Sequence, residues 1–186
     1  MIQAREAGAV IFGESRVQEA MDKMTALDHA GVSCHLIGHL QKNKVKYIFG
    51  LFDLIHSVDS LSLAVEIDRQ SQGRTMPILI QVNVSGEVSK FGVSPGELEP
   101  LLDSVSRLKG VRIEGLMTIP PYDPDPEKSR KYFVQLRELR NRLGKQGNVS
   151  LSQLSMGMSN DFMIAIEEGA TLVRVGTAIF GERQPA

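Results

Sequence analysis

A chain of 186 residues, 42% hydrophobic and 23% charged, has the composition of one globular domain with a sizeable core, and two domains would be cramped. The formal net charge of −1 leaves no general attraction to nucleic acid or to an anionic membrane surface. One cysteine, Cys34, excludes an internal disulfide framework, and no apolar run approaches the roughly 20 residues of a membrane span. The opening residues lack the pattern of a secretory signal, so the expectation is a soluble, cytoplasmic, single-domain protein over residues 1–186.

Short β-rich runs alternate with helical patterns along the whole chain. Residues 2–8 read as the last turns of a helix that leads into a strand at 9–12, and a helix follows over 16–29. Strands at 34–37 and 54–57 precede helical patterns at 42–51 and 60–71. The strand at 77–84 leads through Ser94 and Pro95 to a helix over 95–109. A strand at 112–118, a stiff proline-rich loop at 120–126 and a helix over 126–143 come next, with Asp125 as the cap. The last units are a strand at 151–155, a helix at 161–169 and a strand at 171–175.

This alternation predicts an α/β fold with a parallel sheet and crossover helices. No GxGxxG fingerprint follows any strand, which favours a (β/α)8 TIM-type barrel over an open dinucleotide-binding sheet. Seven strands are legible where such a barrel has eight, and the shortfall lies at the front. The barrel is therefore expected to lack its first strand, with an unpaired edge on each side of the gap. Such edges predict self-association or low solubility.

The two final strands each end in a small-residue turn. Ser155, Gly157 and Ser159 follow the first, and Gly176 and Thr177 follow the second. Adjacent turns that offer backbone N–H groups and hydroxyls to one point make a phosphate cradle, and the last two βα loops of a barrel are its common place.

Seven stretches together resemble the pyridoxal 5′-phosphate (PLP) homeostasis family, the YggS/PROSC-like proteins, which are similar to the barrel domain of alanine racemase. They are FGESRVQEA (12–20), HLIGHLQKNK (35–44), IHSVDS (55–60), QVNVSGEVSKFGV (81–93), EGLMTIPP (114–121), LSMGMSNDF (154–162) and VRVGTAIFGER (173–183). The resemblance implies a PLP-binding carrier in vitamin B6 homeostasis, with no catalytic turnover and no metal. Ser155, Gly176 and Thr177 would bind the cofactor phosphate with Ser159 nearby, and Arg174 would face the pyridine nitrogen. An arginine stays protonated, so it donates to that nitrogen and leaves the ring a poor electron sink.

The family carries its Schiff-base lysine on the first barrel strand in a run similar to AVSKT. No such run stands here, which leaves covalent PLP attachment without its family lysine. Ser15 replaces a pocket asparagine of the family, and Cys34 a frequent tryptophan. For the full-length form the resemblance implies a monomer.

Two other classes of function stay open on the residues. A racemase-like PLP enzyme needs a second base, and none of Tyr47, Tyr122 and Tyr132 is placed by motif to serve. A barrel enzyme acting on another phosphorylated metabolite fits the cradle, but no paired carboxylates or activated nucleophile stand at strand ends. Lys90 lies on the cofactor side of the barrel by motif and is read as a solvated lysine in a glycine-rich turn. The basic run at 41–47 reads as a solvated helical turn, with Gln41, Asn43 and Lys44 brought near the pocket rim by the resemblance. Cys34, His35 and His39 lack metal-ligand spacing.

Overall fold

The structure, a computed structural model, describes residues 1–27, 31–146 and 149–182. Seven strands pair in chain order, every adjacent pair parallel: β1 Ile11–Glu14, β2 Ser33–Leu36, β3 Leu54–Val58, β4 Met76–Gln81, β5 Val111–Met117, β6 Gln153–Met158 and β7 Leu172–Arg174. A short helix α1, Ile2–Glu6, precedes β1. Crossover helices α2 (Val17–Leu27), α3 (Leu61–Gln70), α4 (Leu98–Val105), α5 (Arg130–Gln146) and α6 (Phe162–Glu167) lie between strands, and α7 (Thr177–Phe180) follows β7. The result is a nearly closed barrel of the TIM type, whose seam lies between β1 and β7.

All seven expected strands are present, displaced by up to three residues at their ends. The helix expected over 126–143 opens as a 3₁₀ turn, Pro126–Ser129, before α5, and the one expected over 161–169 is reduced to α6; two others change more. The segment after β2 forms a 3₁₀ helix, Lys42–Tyr47, tightened by bonds such as Lys44 N–H to the Gln41 carbonyl at 2.9 Å. The helix expected over 95–109 begins only at Leu98. Glu97 N–H closes a turn on the Ser94 carbonyl at 3.1 Å, and the Ser94 hydroxyl donates to the Glu97 carboxylate at 2.6 Å. At the other end the Ser106 hydroxyl donates to the Asp103 carbonyl, and the helix stops at Val105. The expected end of the helix over 16–29 lies outside the described residues.

Strand alternation divides the side chains between two cores. Outward-facing Leu36, Ile55, Ile78, Ile80, Leu116 and Leu154 are fully buried beneath the helices. Inward-facing Leu54, Leu79 and Met117, with Leu172 and Ile119 against them, fill the floor of the barrel. On β1 the sides are marked by an ion pair: buried Glu14 reaches Lys23 of α2 at 2.9 Å, so Ile11 and Gly13 face the barrel interior. Both are exposed, because the seam beside them is open.

Two contacts fix the ends of the barrel that carry the loops. A Cβ at Gly38 would collide with the Ser15 carbonyl, so the loops after β1 and β2 touch only because position 38 is bare. On the other side, Glu168 at the end of α6 is 8% exposed and accepts from Arg130 at 2.7 Å and from Arg137. These arginines belong to α5, so α6 and the loop before it are pinned to the longest helix of the molecule.

Candidate functional site

Above the apolar floor, the inward positions turn polar. His35 of β2, His56 of β3, Ser155 of β6 and Arg174 of β7 meet across the barrel in one chain of hydrogen bonds. His35 Nδ1 lies 3.0 Å from His56 Nε2, and His56 Nδ1 lies 2.8 Å from Ser155 Oγ. Arg174 Nη1 donates to Ser155 Oγ at 2.5 Å, and its Nη2 donates to the Thr118 carbonyl at 2.8 Å. Thr118 is itself held by its hydroxyl, which donates to the Val82 carbonyl at 2.8 Å. The guanidinium is thus anchored at both terminal nitrogens, by the residue after β5 and by the middle of β6.

Burial dominates the electrostatics of this layer. It pushes the His56 imidazole down to about 2, with neighbouring His35 and cationic Arg174 acting in the same direction, so His56 is neutral. His35 is also lowered by burial, against the opposing field of Asp53 and Glu114. Burial pulls the Arg174 guanidinium down to about 10, opposed by Asp161, and it remains a cation at neutral pH. The Cys34 thiol, on the opposite face of β2 from His35, is pushed up to about 12, first by burial and then by Glu14 and Asp53. It is protonated and inert at neutral pH.

The loops after β6 and β7 are tied together by one hydroxyl. Ser159 Oγ accepts the Gly176 N–H at 3.1 Å and the Ala178 N–H at 3.3 Å, so two backbone donors converge on a single oxygen. Nothing lies within 4 Å of the position a Cβ would take at Gly176, which leaves open space over these donors. Beneath them, Gly157 adopts φ +90°, where a Cβ would stand 2.5 Å from the Ala165 Cβ. Asp161 then accepts the Met158 N–H at 2.7 Å and closes the loop.

The structure therefore brings the five sequence-derived residues into two groups. Ser159, Gly176 and Thr177 share the exposed loop pair, while Ser155 and Arg174 are bonded to each other inside the barrel. Lys90 is half-buried in a loop organised by Asn83, whose amide donates to the Glu87 and Lys90 carbonyls at 2.9 and 3.2 Å. His39 stacks on Phe91 with ring centroids 4.0 Å apart and lies 3.6 Å from Asp59, linking the loops after β2, β3 and β4. Of the basic run, Lys44 and Lys46 sit over the Tyr47 ring at 5.9 and 4.8 Å. Met117 lines the interior, whereas Met156 packs into the outer core.

His56 and Thr118 are the residues that sequence reasoning did not single out. Each carried a signal: His56 lies at an alternate position from Leu54 on a strand buried throughout, and Thr118 directly follows β5.

Comparisons with known proteins agree with this architecture. Residues 1–184 match the family model described as alanine racemase, N-terminal domain. A protein of Aquifex aeolicus named pyridoxal phosphate homeostasis protein is 50% identical over 95% of this chain and 78% of its own length. The Escherichia coli K12 protein of the same name is 39% identical over 97% of this chain and 79% of its own. PipY of Synechococcus elongatus superposes with a TM-score of 0.88 in its PLP-bound form, at 40% identity over 96% of this chain and 85% of that one. Alanine racemase of Clostridium difficile, at 16% identity, shares the fold with a TM-score of 0.79 over 97% of this chain and 47% of its own. With its barrel, its strand order and this similarity taken together, the chain belongs to the alanine racemase N-terminal domain family, alongside the pyridoxal phosphate homeostasis proteins.

Proposed function

We propose that this chain binds PLP at the carboxyl ends of its barrel strands and acts as a carrier in PLP homeostasis, without catalytic turnover. The observation that carries the reading is Arg174: a donor-only cation, doubly anchored, on the inner wall next to a loop pair with two convergent backbone donors. The residues present fit the cofactor. Ser159 Oγ, held by the Gly176 and Ala178 N–H groups, keeps its own proton to donate, so this polarised hydroxyl and that of Thr177 suit a phosphate, and the guanidinium suits a ring nitrogen that accepts. Charge-assisted bonds of about 1.5–3 kcal/mol each, three or more together, offset the several kcal/mol that association costs.

Bound PLP supplies a reactive aldehyde on an electron-withdrawing ring. Arg174 would donate to the ring nitrogen without giving up its proton, and so would hold back the electron sink that racemisation needs. The tyrosines support the same reading. Tyr47 lies under two lysines, Tyr132 packs on the outer core, and Tyr122 is 75% exposed in the loop after β5. None faces the polar layer as a second base. Names carried by relatives, and the PLP-bound form of PipY, add weight to binding and homeostasis. The role is set in the cytoplasm, where the single thiol of Cys34 stays reduced.

The test is comparative binding. PLP is expected to stay with the protein through gel filtration, pyridoxal without its phosphate to be lost, and the loaded protein to leave L-alanine unracemised. Equal retention of pyridoxal and PLP would remove the cradle from the argument, and racemisation would make the protein an enzyme.

A further inference from the structure

The hydrogen-bond chain across the barrel has two possible directions. Arg174 holds only donors, so its bond to Ser155 Oγ at 2.5 Å runs one way. The contacts from Ser155 to His56 at 2.8 Å and from His56 to His35 at 3.0 Å can each run either way. Two arrangements satisfy all three contacts with both imidazoles neutral. In the first, the Ser155 hydroxyl donates to His56 Nδ1, and His56 Nε2–H donates to His35 Nδ1. In the second, His35 Nδ1–H and His56 Nδ1–H both point back toward Arg174, and the Ser155 proton is left to another acceptor.

The cation decides between them. In the first arrangement every bond dipole turns its negative end to the guanidinium, and each bond polarises the next. In the second, two N–H dipoles point their positive ends at a partly desolvated cation, which is unfavourable in a low-dielectric interior. Asp53 and Glu114, the carboxylates whose field reaches His35, favour positive charge at the far end of the chain, as the first arrangement provides.

We infer that Ser155, His56 and His35 form a one-way donor chain that positions Arg174, with the Ser155 hydroxyl committed to His56 rather than to a phosphate. The inference rests on the reading of Arg174 as partner of a pyridine nitrogen. That nitrogen presents one in-plane lone pair, so a small swing of the guanidinium weakens the contact. The site divides accordingly: Ser159, Gly176 and Ala178 serve the phosphate end, and Ser155 with the two histidines serves the ring end. His56 and Ser155 are positioning residues, and His35 orients His56.

Two measurements test this on the full chain. Nitrogen-15 imidazole spectra of the ligand-free protein are expected to show His56 protonated at Nε2 and bare at Nδ1. A proton on Nδ1 of His56 would overturn the inference. In binding experiments, Ser155→Ala and His56→Phe are expected to raise the Kd for PLP about tenfold and to shift the absorbance of bound PLP, while the Kd for inorganic phosphate stays within about twofold. His56→Gln, whose amide can accept from Ser155 and donate to His35, is expected to restore most of the affinity. Equal loss of PLP and inorganic phosphate binding in Ser155→Ala would place the hydroxyl on the phosphate and end the proposal. Should His56→Phe fail to fold, Ser155→Ala and the tautomer spectra decide. A wild type that binds inorganic phosphate but not PLP would sink the functional reading alone, since the spectra report the chain's direction without any cofactor.

Discussion

Glu14 and Lys23 form a lopsided ion pair: their atoms are 2.9 Å apart, the carboxylate side chain 5% exposed and the ammonium side chain 43%. The partner that water can reach is the one that keeps the buried partner neutralised. Lys23→Ala would leave a carboxylate under α2 with its countercharge gone. A loss of about 1–3 kcal/mol is expected, discounted from the cost of a fully buried pair because Lys23 is solvated. Glu14→Gln with Lys23→Met should recover much of it, and urea denaturation of the three proteins measures both effects.

Ser159 binds the loops after β6 and β7 together through two amides that are themselves exposed. Ser159→Ala is therefore expected to cost little stability, below about 1 kcal/mol, because water replaces the hydroxyl. Affinity should suffer more, with PLP and inorganic phosphate both weakened about tenfold. Calorimetric titration beside a thermal melt checks that contrast, and a large melting shift with unchanged affinity would refute it.

Gly157 combines a left-handed backbone with contact at 2.5 Å between any added Cβ and Ala165. Gly157→Ala should push α6 off the end of β6 and lower stability by about 2 kcal/mol or more, from backbone strain and overpacking together. The affected residues include Asp161 and Ser159, so hydrogen exchange is expected to quicken first at Ser159–Ala165.

His56 makes the fold acid-sensitive. Its folded-state pKa of about 2 lies below the ordinary 6.5, so the folded molecule binds fewer protons than the unfolded chain between those values. Its stability contribution is whole above about pH 6.5 and drains away as pH falls below it, at up to about 1.4 kcal/mol per pH unit. His56→Gln should flatten that part of the profile, as followed by melting temperature between pH 7 and 4.

Among the described residues, the seam leaves β1 and β7 each with one unpaired edge, beside exposed Ile11 and the 37% exposed Val173. Open edges with apolar neighbours recruit other strands. Concentration-dependent self-association in sedimentation velocity is the expected outcome, and a monomer at every concentration would contradict it.

Much of the fold was legible because each strand carried its own signal. The run Ile78–Ile80 and the alternation in β5 need no knowledge of their neighbours. The paired loops were legible too, since Ser159 and Gly176 announce turns wherever they occur. The His56–Ser155 bond was not. Those residues are 99 positions apart on strands that do not pair, and they meet only because a curved sheet brings its two halves face to face. His35 fell within the strand read at 34–37, and its partner depended on the same curvature. The late start of α4 escaped for a different reason: Ser94 and Glu97 bond to each other, a competition that propensity alone does not resolve.

Stacking of an oily storey beneath a wet one inside the barrel has an evolutionary corollary. Leu54, Leu79 and Met117 set how firmly the cylinder holds, while His35, His56, Ser155 and Arg174 set what it can hold. Mutations in the lower tier should be read out by heat, and those in the upper by cargo. Selection can thus retune one property without disturbing the other.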